Sequence, residues 1–93
     1  MVLEMPELSR MIREYLRKRG GEPKNIEVSE YFYARDGRWW DARITVDGVK
    51  DAETCRKLGE YLAKMTGAKL RSRPVFVPGT NIIPSSCWIE LTK

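Results

Sequence analysis

The sequence predicts an α+β domain, a four-stranded antiparallel sheet with two helices on one face. Two amphipathic helix patterns lie among alternating strand patterns, and a glycine-bearing turn joins the first two strands. A chain of 93 residues supports one hydrophobic core. We therefore expect a single domain over residues 1–93, with repeat units at about 6–48 and 50–93.

The first helix is predicted from Pro6 to Arg19. Proline suits the first helical turn, and the basic residues of the last turn complement the helix dipole. Its charged face is interpreted mainly as solvated surface. The apolar side chains at helical spacing are predicted to face the core: Leu8, Ile12, Tyr15 and Leu16.

The second helix is predicted from Asp51, as N-cap, to Thr66, and Gly67 ends it. Its predicted core stripe consists of Cys55, Leu58, Gly59, Leu62 and Met65. The two helices match at an offset of 46 residues, most clearly in their Tyr-Leu pairs. This match, followed in each half by alternating strands, predicts an αββαββ pseudo-repeat.

The first strand pair is predicted at about 25–34 and 38–46, joined by a three-residue turn at 35–37. This loop length places the apolar side chains of both strands on one face. The predicted cross-strand pairs are Phe32 with Trp40, Val28 with Ile44, and Ile26 with Val46.

The second strand pair is predicted at about 70–77 and 82–91. Pro74 interrupts the earlier strand, which favours an edge strand or a bulge and leaves its facing open. Inward positions are assigned to Leu70, Phe76, Ile83, Cys87, Ile89 and Leu91. Outward positions are assigned to Arg71, Arg73, Val75, Val77, Trp88 and Glu90.

The composition describes a basic protein without the usual catalytic side chain. Lys and Arg number 17 and Asp and Glu number 13, so the net charge is +4. Histidine is absent, which removes the commonest general base and most catalytic zinc sites. We expect no enzymatic activity, catalytic residue, metal site or cofactor. A long apolar run is also absent, so we expect a cytoplasmic protein with no membrane partner.

Gln is absent while Lys, Arg and Glu are frequent, a bias typical of hyperthermophile proteins. The two cysteines, Cys55 and Cys87, do not form a zinc-binding pattern. In a reducing cytosol we expect them to be small buried apolar side chains. A Cys55–Cys87 disulfide is the alternative, since hyperthermophile cytosols tolerate disulfides.

Aromatic and arginine side chains are concentrated on the predicted outward face of the sheet. Rings on an uncovered face can stack unpaired bases, and guanidinium groups can hold phosphates. We therefore predict sequence-tolerant binding of single-stranded DNA or RNA, with no preference between them readable from the sequence. The predicted nucleic-acid-binding residues are Tyr31, Tyr33, Arg35, Trp39, Arg43, Arg71, Arg73 and Trp88.

Two other classes of function remain. An aromatic sheet face is also typical of a homodimer or partner interface, and we expect a homo-oligomer, dimeric or larger. A metal-dependent nuclease is the weaker alternative, because metal chemistry needs converging carboxylates. The candidate carboxylates are Glu30, Asp36, Asp41 and Asp47. Glu30 is predicted on the core face of the sheet and Asp41 on the outward face, so these two diverge.

The set of exposed rings beside Arg43 resembles that of the ThermoDBP-related single-stranded DNA-binding proteins of archaea. The rings concerned are Tyr31, Tyr33, Trp39 and Trp88. The resemblance implies oligomers that bind single strands without an OB-fold, in a groove between subunits. The αββαββ order is also similar to that of LAGLIDADG homing endonucleases. The helix starts at 6–9 and 51–54 lack that motif, so nuclease activity is not implied.

Overall fold

The computed structural model describes residues 5–19, 21–33 and 39–93 of the chain. They form an α+β fold with two helices and a five-stranded antiparallel sheet. The elements are α1 (Met5–Arg17), β1 (Asn25–Tyr33), β2 (Trp39–Asp47), α2 (Ala52–Thr66), β3 (Lys69–Leu70), β4 (Val75–Val77) and β5 (Ser86–Thr92).

The sheet has the order β1-β2-β5-β3, and β4 also pairs with β5. The first hairpin has the predicted register, with Val28 opposite Ile44 and Ile26 opposite Val46. The backbones of Phe32 and Trp40 are paired as well. The predicted turn at 35–37 lies outside the described residues.

The second half of the sheet departs from the prediction of four strands. The predicted third strand is split into β3 and β4, with residues 71–74 between them. Pro74 explains the break, because proline has no N–H group to donate to the sheet. The second half therefore contributes two short strands and the seven-residue β5, and the αββαββ repeat is only roughly matched.

The last strand begins at Ser86, four residues later than predicted. The side chains that would have begun it are exposed, with 92% of Ile82 and 64% of Ile83 accessible, so the inward assignment of Ile83 was wrong. Thr80 folds the preceding loop instead, because its hydroxyl accepts hydrogen bonds from the N–H groups of both isoleucines. These local bonds compete with strand pairing.

One hydrophobic core lies between the helices and the sheet. The four predicted core residues of α1 are buried, as are Cys55, Leu58, Gly59 and Leu62 of α2. Met65 is 56% exposed, so its assignment to the core was wrong. Thr66 is half-buried instead and donates its hydroxyl to the Leu62 carbonyl at 2.7 Å.

Both predicted ends of α2 are confirmed. Asp51 is the N-cap, and its carboxylate accepts a hydrogen bond from the Thr54 N–H at 2.8 Å. Gly67 ends the helix with φ of 71°, the left-handed conformation that glycine adopts without steric cost. These caps direct the chain from β2 into α2 and from α2 into β3.

The two cysteines form a disulfide, with a Cα–Cα distance of 5.5 Å between Cys55 and Cys87. Both are fully buried, as predicted, and they form the disulfide that the sequence analysis gave as the alternative to unbonded side chains. The bond joins α2 to β5, the strand that pairs with β2, β3 and β4. It therefore ties the second helix to the interior of the sheet.

Candidate nucleic-acid interface

The outer face is the side of the sheet opposite the core. Both helices contribute to the core, which contains inward residues of β1, β2 and β5. The alternating positions of the paired strands point the other way. The described side chains of the outer face are Asn25, Glu27, Ser29, Asp41, Arg43, Thr45, Asp47, Lys69, Val75, Val77, Ser86, Trp88, Glu90 and Thr92.

Trp88 is the described aromatic residue of this face. It lies on β5, an interior strand, opposite Thr45 on one side and Val75 on the other. Half of it, 50%, is exposed, which confirms the predicted outward orientation. The indole therefore offers ring surface while both neighbouring strands fix its backbone.

The other predicted stacking residues are described only in part. Tyr33 and Trp39 are cross-strand backbone neighbours, as predicted, and Tyr31 is opposite Asp41. Only the backbone of Tyr31, Tyr33 and Trp39 is described, and Arg35 lies outside the described residues. Their role in binding stays a prediction.

Arg43 is exposed near the middle of the outer face. Its backbone partners are Ser29 on β1 and Glu90 on β5. Because Thr45 is opposite Trp88, Arg43 is a diagonal neighbour of that ring, and such neighbours are about 7–8 Å apart in antiparallel sheets. Charge and ring are thus close enough to contact adjacent parts of one ligand.

Arg71 forms an ion pair instead of standing alone on the surface. Its guanidinium donates to the Asp41 carboxylate at 3.0 Å, and the Thr92 hydroxyl donates to the other oxygen at 2.6 Å. Asp41 is only 8% exposed. Sequence reasoning missed this network, because its members are 30 and 51 residues from Asp41 and no local spacing connects them.

Arg73 lies in the segment between β3 and β4, beside Pro74. Together with Arg56 and Glu60 of α2 it lines an open depression at the edge of the sheet. This position separates Arg73 from Trp88 and Arg43, which lie on interior strands. The described phosphate-binding candidates, Arg43, Arg71 and Arg73, therefore do not form one cluster.

The outer face carries charges of both signs. The basic side chains of this face are Arg43 and Lys69, and Arg71 reaches it through its ion pair with Asp41. The acidic side chains of the face are Glu27, Asp41, Asp47 and Glu90. Apolar side chains are exposed as well, since 47% of Val75 and 38% of Val77 are accessible. Both valines point outward, as predicted.

The candidate nuclease carboxylates do not converge in the part of the chain that is described. Asp41 is engaged by Arg71 and Thr92, and Asp47 accepts a hydrogen bond from Ser86. Asp36 lies outside the described residues. Within 5–19, 21–33 and 39–93, no group of three or more His, Cys, Asp or Glu residues is placed to hold a metal ion.

Most described arginines of α1 and of the turn that follows it have partners of their own. Arg10 lies within 4 Å of both Glu7 and Glu14, and Arg17 pairs with Glu22 at 3.7 Å. The guanidinium of Arg19 is stacked 3.6 Å from the centre of the Tyr15 ring. These contacts agree with the interpretation of this helix face as solvated surface.

No described helix is long and apolar enough to cross a membrane. Comparison with known proteins gives no match to a family model, a curated protein or a solved structure.

Proposed function

We propose that the chain binds single-stranded nucleic acid through the outer face, without a catalytic step. The main observation behind this proposal is that the indole of Trp88 is half-exposed on an interior strand, on the face of the sheet away from both helices. Stacking on a ring suits unpaired bases because each base has a π face, and the contact requires little sequence preference. The resemblance to ThermoDBP-related proteins and a hyperthermophilic archaeal source are parts of the same proposal.

Within this proposal, Trp88 stacks one base and Arg43 holds an adjacent phosphate. Their diagonal arrangement across β2 and β5 supports this division of roles. The predicted stacking roles of Tyr31, Tyr33 and Trp39 belong to the same proposal. Arg71 contributes through its remaining donors while it neutralises Asp41. This ion pair lowers the repulsion between Asp41 and a phosphate.

The stacking role is tested by replacing Trp88 and measuring fluorescence anisotropy of a labelled oligonucleotide. Trp88→Ala is expected to weaken binding by ~1–3 kcal/mol, because one base loses its stacking partner. Trp88→Phe keeps a ring and should retain most of the affinity. Met65→Ala is the matched control, since it removes an exposed apolar side chain from α2 on the other side of the sheet.

Equal affinities for wild type and both Trp88 variants would remove this ring from the binding site. A wild-type chain that does not bind oligonucleotides, even at low salt, would refute the function itself. Binding to single strands and duplexes with equal affinity would contradict a stacking mechanism.

The charge contribution is tested at several salt concentrations. Each phosphate contact adds nearly one unit to the slope of log affinity against log salt. Arg43→Ala should therefore reduce that slope by roughly one, while Arg43→Lys keeps the charge and the slope. A slope that Arg43→Ala leaves unchanged would remove Arg43 from the phosphate contacts.

A homodimer that buries the outer face is the second candidate. Val75 and Trp88 are directly opposite each other and both are exposed, which gives this face an apolar centre. Charges of both signs around that centre suit a face that contacts its own copy. Trp88→Arg should then produce a monomer by light scattering, whereas nucleic-acid binding alone predicts no change in mass.

A further inference from the structure

The two edges of the sheet differ in their protection against pairing with other strands. At one edge lie β3 and β4, which have two and three residues and are separated by a segment with two arginines and Pro74. Short strands, charges and proline are the features by which proteins prevent edge pairing. This edge is therefore blunted.

The opposite edge is formed by β1, which runs unbroken for nine residues and contains no proline. In the described chain β2 is its only strand partner. The N–H and C=O groups of alternate residues therefore face away from the sheet along its whole length. A long continuous edge of this kind is a template for another strand.

We propose that β1 pairs antiparallel with β1 of a second copy of this chain, so that two sheets become continuous. An antiparallel pair of identical strands is related by a two-fold axis perpendicular to the sheet, and closed two-fold dimers are the commonest oligomers. The same nine residues then supply both sides of the contact, with no further partner required. The outer face stays open on both copies.

The charges of β1 restrict the register of this pairing. In a two-fold pair one residue is opposite its own copy, and like charges directly opposite each other are unfavourable. Registers centred on Glu27 or Glu30 place two glutamates opposite each other and are disfavoured. Registers centred on Val28 or Ser29 avoid this and bring Glu27 opposite Ser29 or Tyr31 of the other copy. The acidic side chains thus favour these two registers over the others and do not prevent the contact.

The pairing is tested without mutation by amide hydrogen exchange of the full chain, alongside its mass by light scattering. In a monomer, alternate amides of β1 exchange rapidly because they face solvent. In the proposed dimer all central amides of β1 are protected, and protection of the alternate set falls on dilution. The amides of β4, at the blunted edge, serve as the internal reference and should not respond to concentration.

Two substitutions at Ser29 distinguish the registers. This side chain is exposed and faces Arg43 within the same sheet, so Ser29→Glu should leave the subunit folded. In either register Ser29→Glu places glutamates opposite each other and should raise the dissociation constant. The increase should be roughly 2- to 30-fold in the register centred on Val28, which contains two such contacts, and roughly 1.4- to 5-fold in the register centred on Ser29, which contains one. Ser29→Lys should tighten a register centred on Val28, where it meets Glu27, and weaken one centred on Ser29.

A chain that remains monomeric at millimolar concentration would overturn the proposal, as would a dimer whose alternate β1 amides exchange freely. A dimer that Trp88→Arg dissociates while Ser29→Glu does not would show that the outer face is the contact instead. Dimerisation through β1 is independent of nucleic-acid binding, so either can fail while the other stands.

Discussion

Removal of the Cys55–Cys87 disulfide should cost a large part of the stability of this domain. The bond closes a loop with a sequence separation of 32 residues. In the chain-entropy account, a loop of this size stabilises the folded state by about 3.7 kcal/mol at 25 °C. For a domain of about 90 residues this corresponds to a fall in Tm of roughly 20 °C. Stabilities of small domains are ~5–15 kcal/mol, so the effect is a substantial fraction.

The measurement is thermal and denaturant unfolding followed by circular dichroism. The double variant Cys55→Ala, Cys87→Ala is compared with the oxidised wild type and with wild type that has been reduced in denaturant and refolded under reductant. The reduced wild type keeps the volume of both sulfurs, so its loss of stability reports the cross-link alone. The double variant should lose slightly more, because the core contacts of the sulfurs go as well.

Burial of both cysteines adds a kinetic expectation to the same experiment. Thiol–disulfide exchange needs access to a sulfur atom, and neither cysteine is accessible in the folded chain. The bond should therefore resist reductant under native conditions and react once the chain unfolds. A loss of less than ~1 kcal/mol on reduction would refute the chain-entropy reasoning, which predicts several times as much. Rapid reduction of the folded protein would refute the kinetic expectation.

Two further predictions concern α2. Gly59→Ala should destabilise the fold by ~1 kcal/mol although alanine favours helices, because the added Cβ would lie 2.5 Å from the Pro74 Cγ atom. In a Pro74→Ala background, Gly59→Ala should become stabilising. Denaturant unfolding of the four proteins of this double-mutant cycle measures the effect. Destabilisation by Gly59→Ala in both backgrounds would contradict the steric explanation. Hydrogen bonds from Thr54 hold the pKa of Asp51 below its ordinary value of 3.8. The ionised Asp51 therefore stabilises the helix fully above pH 3.8, and this contribution is lost as the pH falls through the lower pKa of the folded state. Asp51→Asn should keep the cap and make Tm less dependent on pH, whereas Asp51→Ala should lower Tm at neutral pH. Equal pH profiles of Tm for the wild type and Asp51→Asn would contradict this assignment.

Local patterns in the sequence were sufficient to place both helices and to give the register of the first hairpin, although α1 ends at Arg17 and not at Arg19 as predicted. The α1 stripe repeats at helical spacing, and Asp51 and Gly67 are residues with strong end preferences. The hairpin register followed from the requirement that apolar residues of both strands share one face. Each of these signals lies within one element or between consecutive elements, where the chain itself sets the distance.

The sequence was less informative where two patterns competed. Ile82 and Ile83 are typical strand residues, yet the Thr80 hydroxyl accepts hydrogen bonds from the N–H groups of both. Pro74 was recognised as an interruption, but its effect on the strand count depended on how much of the chain on either side could still pair with β5. Local bonds and pairing partners decided both cases.

Composition, helix stripes, caps and the first register were thus determined by the sequence, because each depends on neighbours along the chain. The disulfide, the Asp41–Arg71 ion pair and the contact between Gly59 and Pro74 were decided only by the tertiary structure. Their partners are 15 to 32 residues apart and carry no spacing signal. These residues meet only because β5 lies in the sheet between β2 on one side and β3 and β4 on the other. That arrangement places β2, α2 and residues 71–74 next to the same strand.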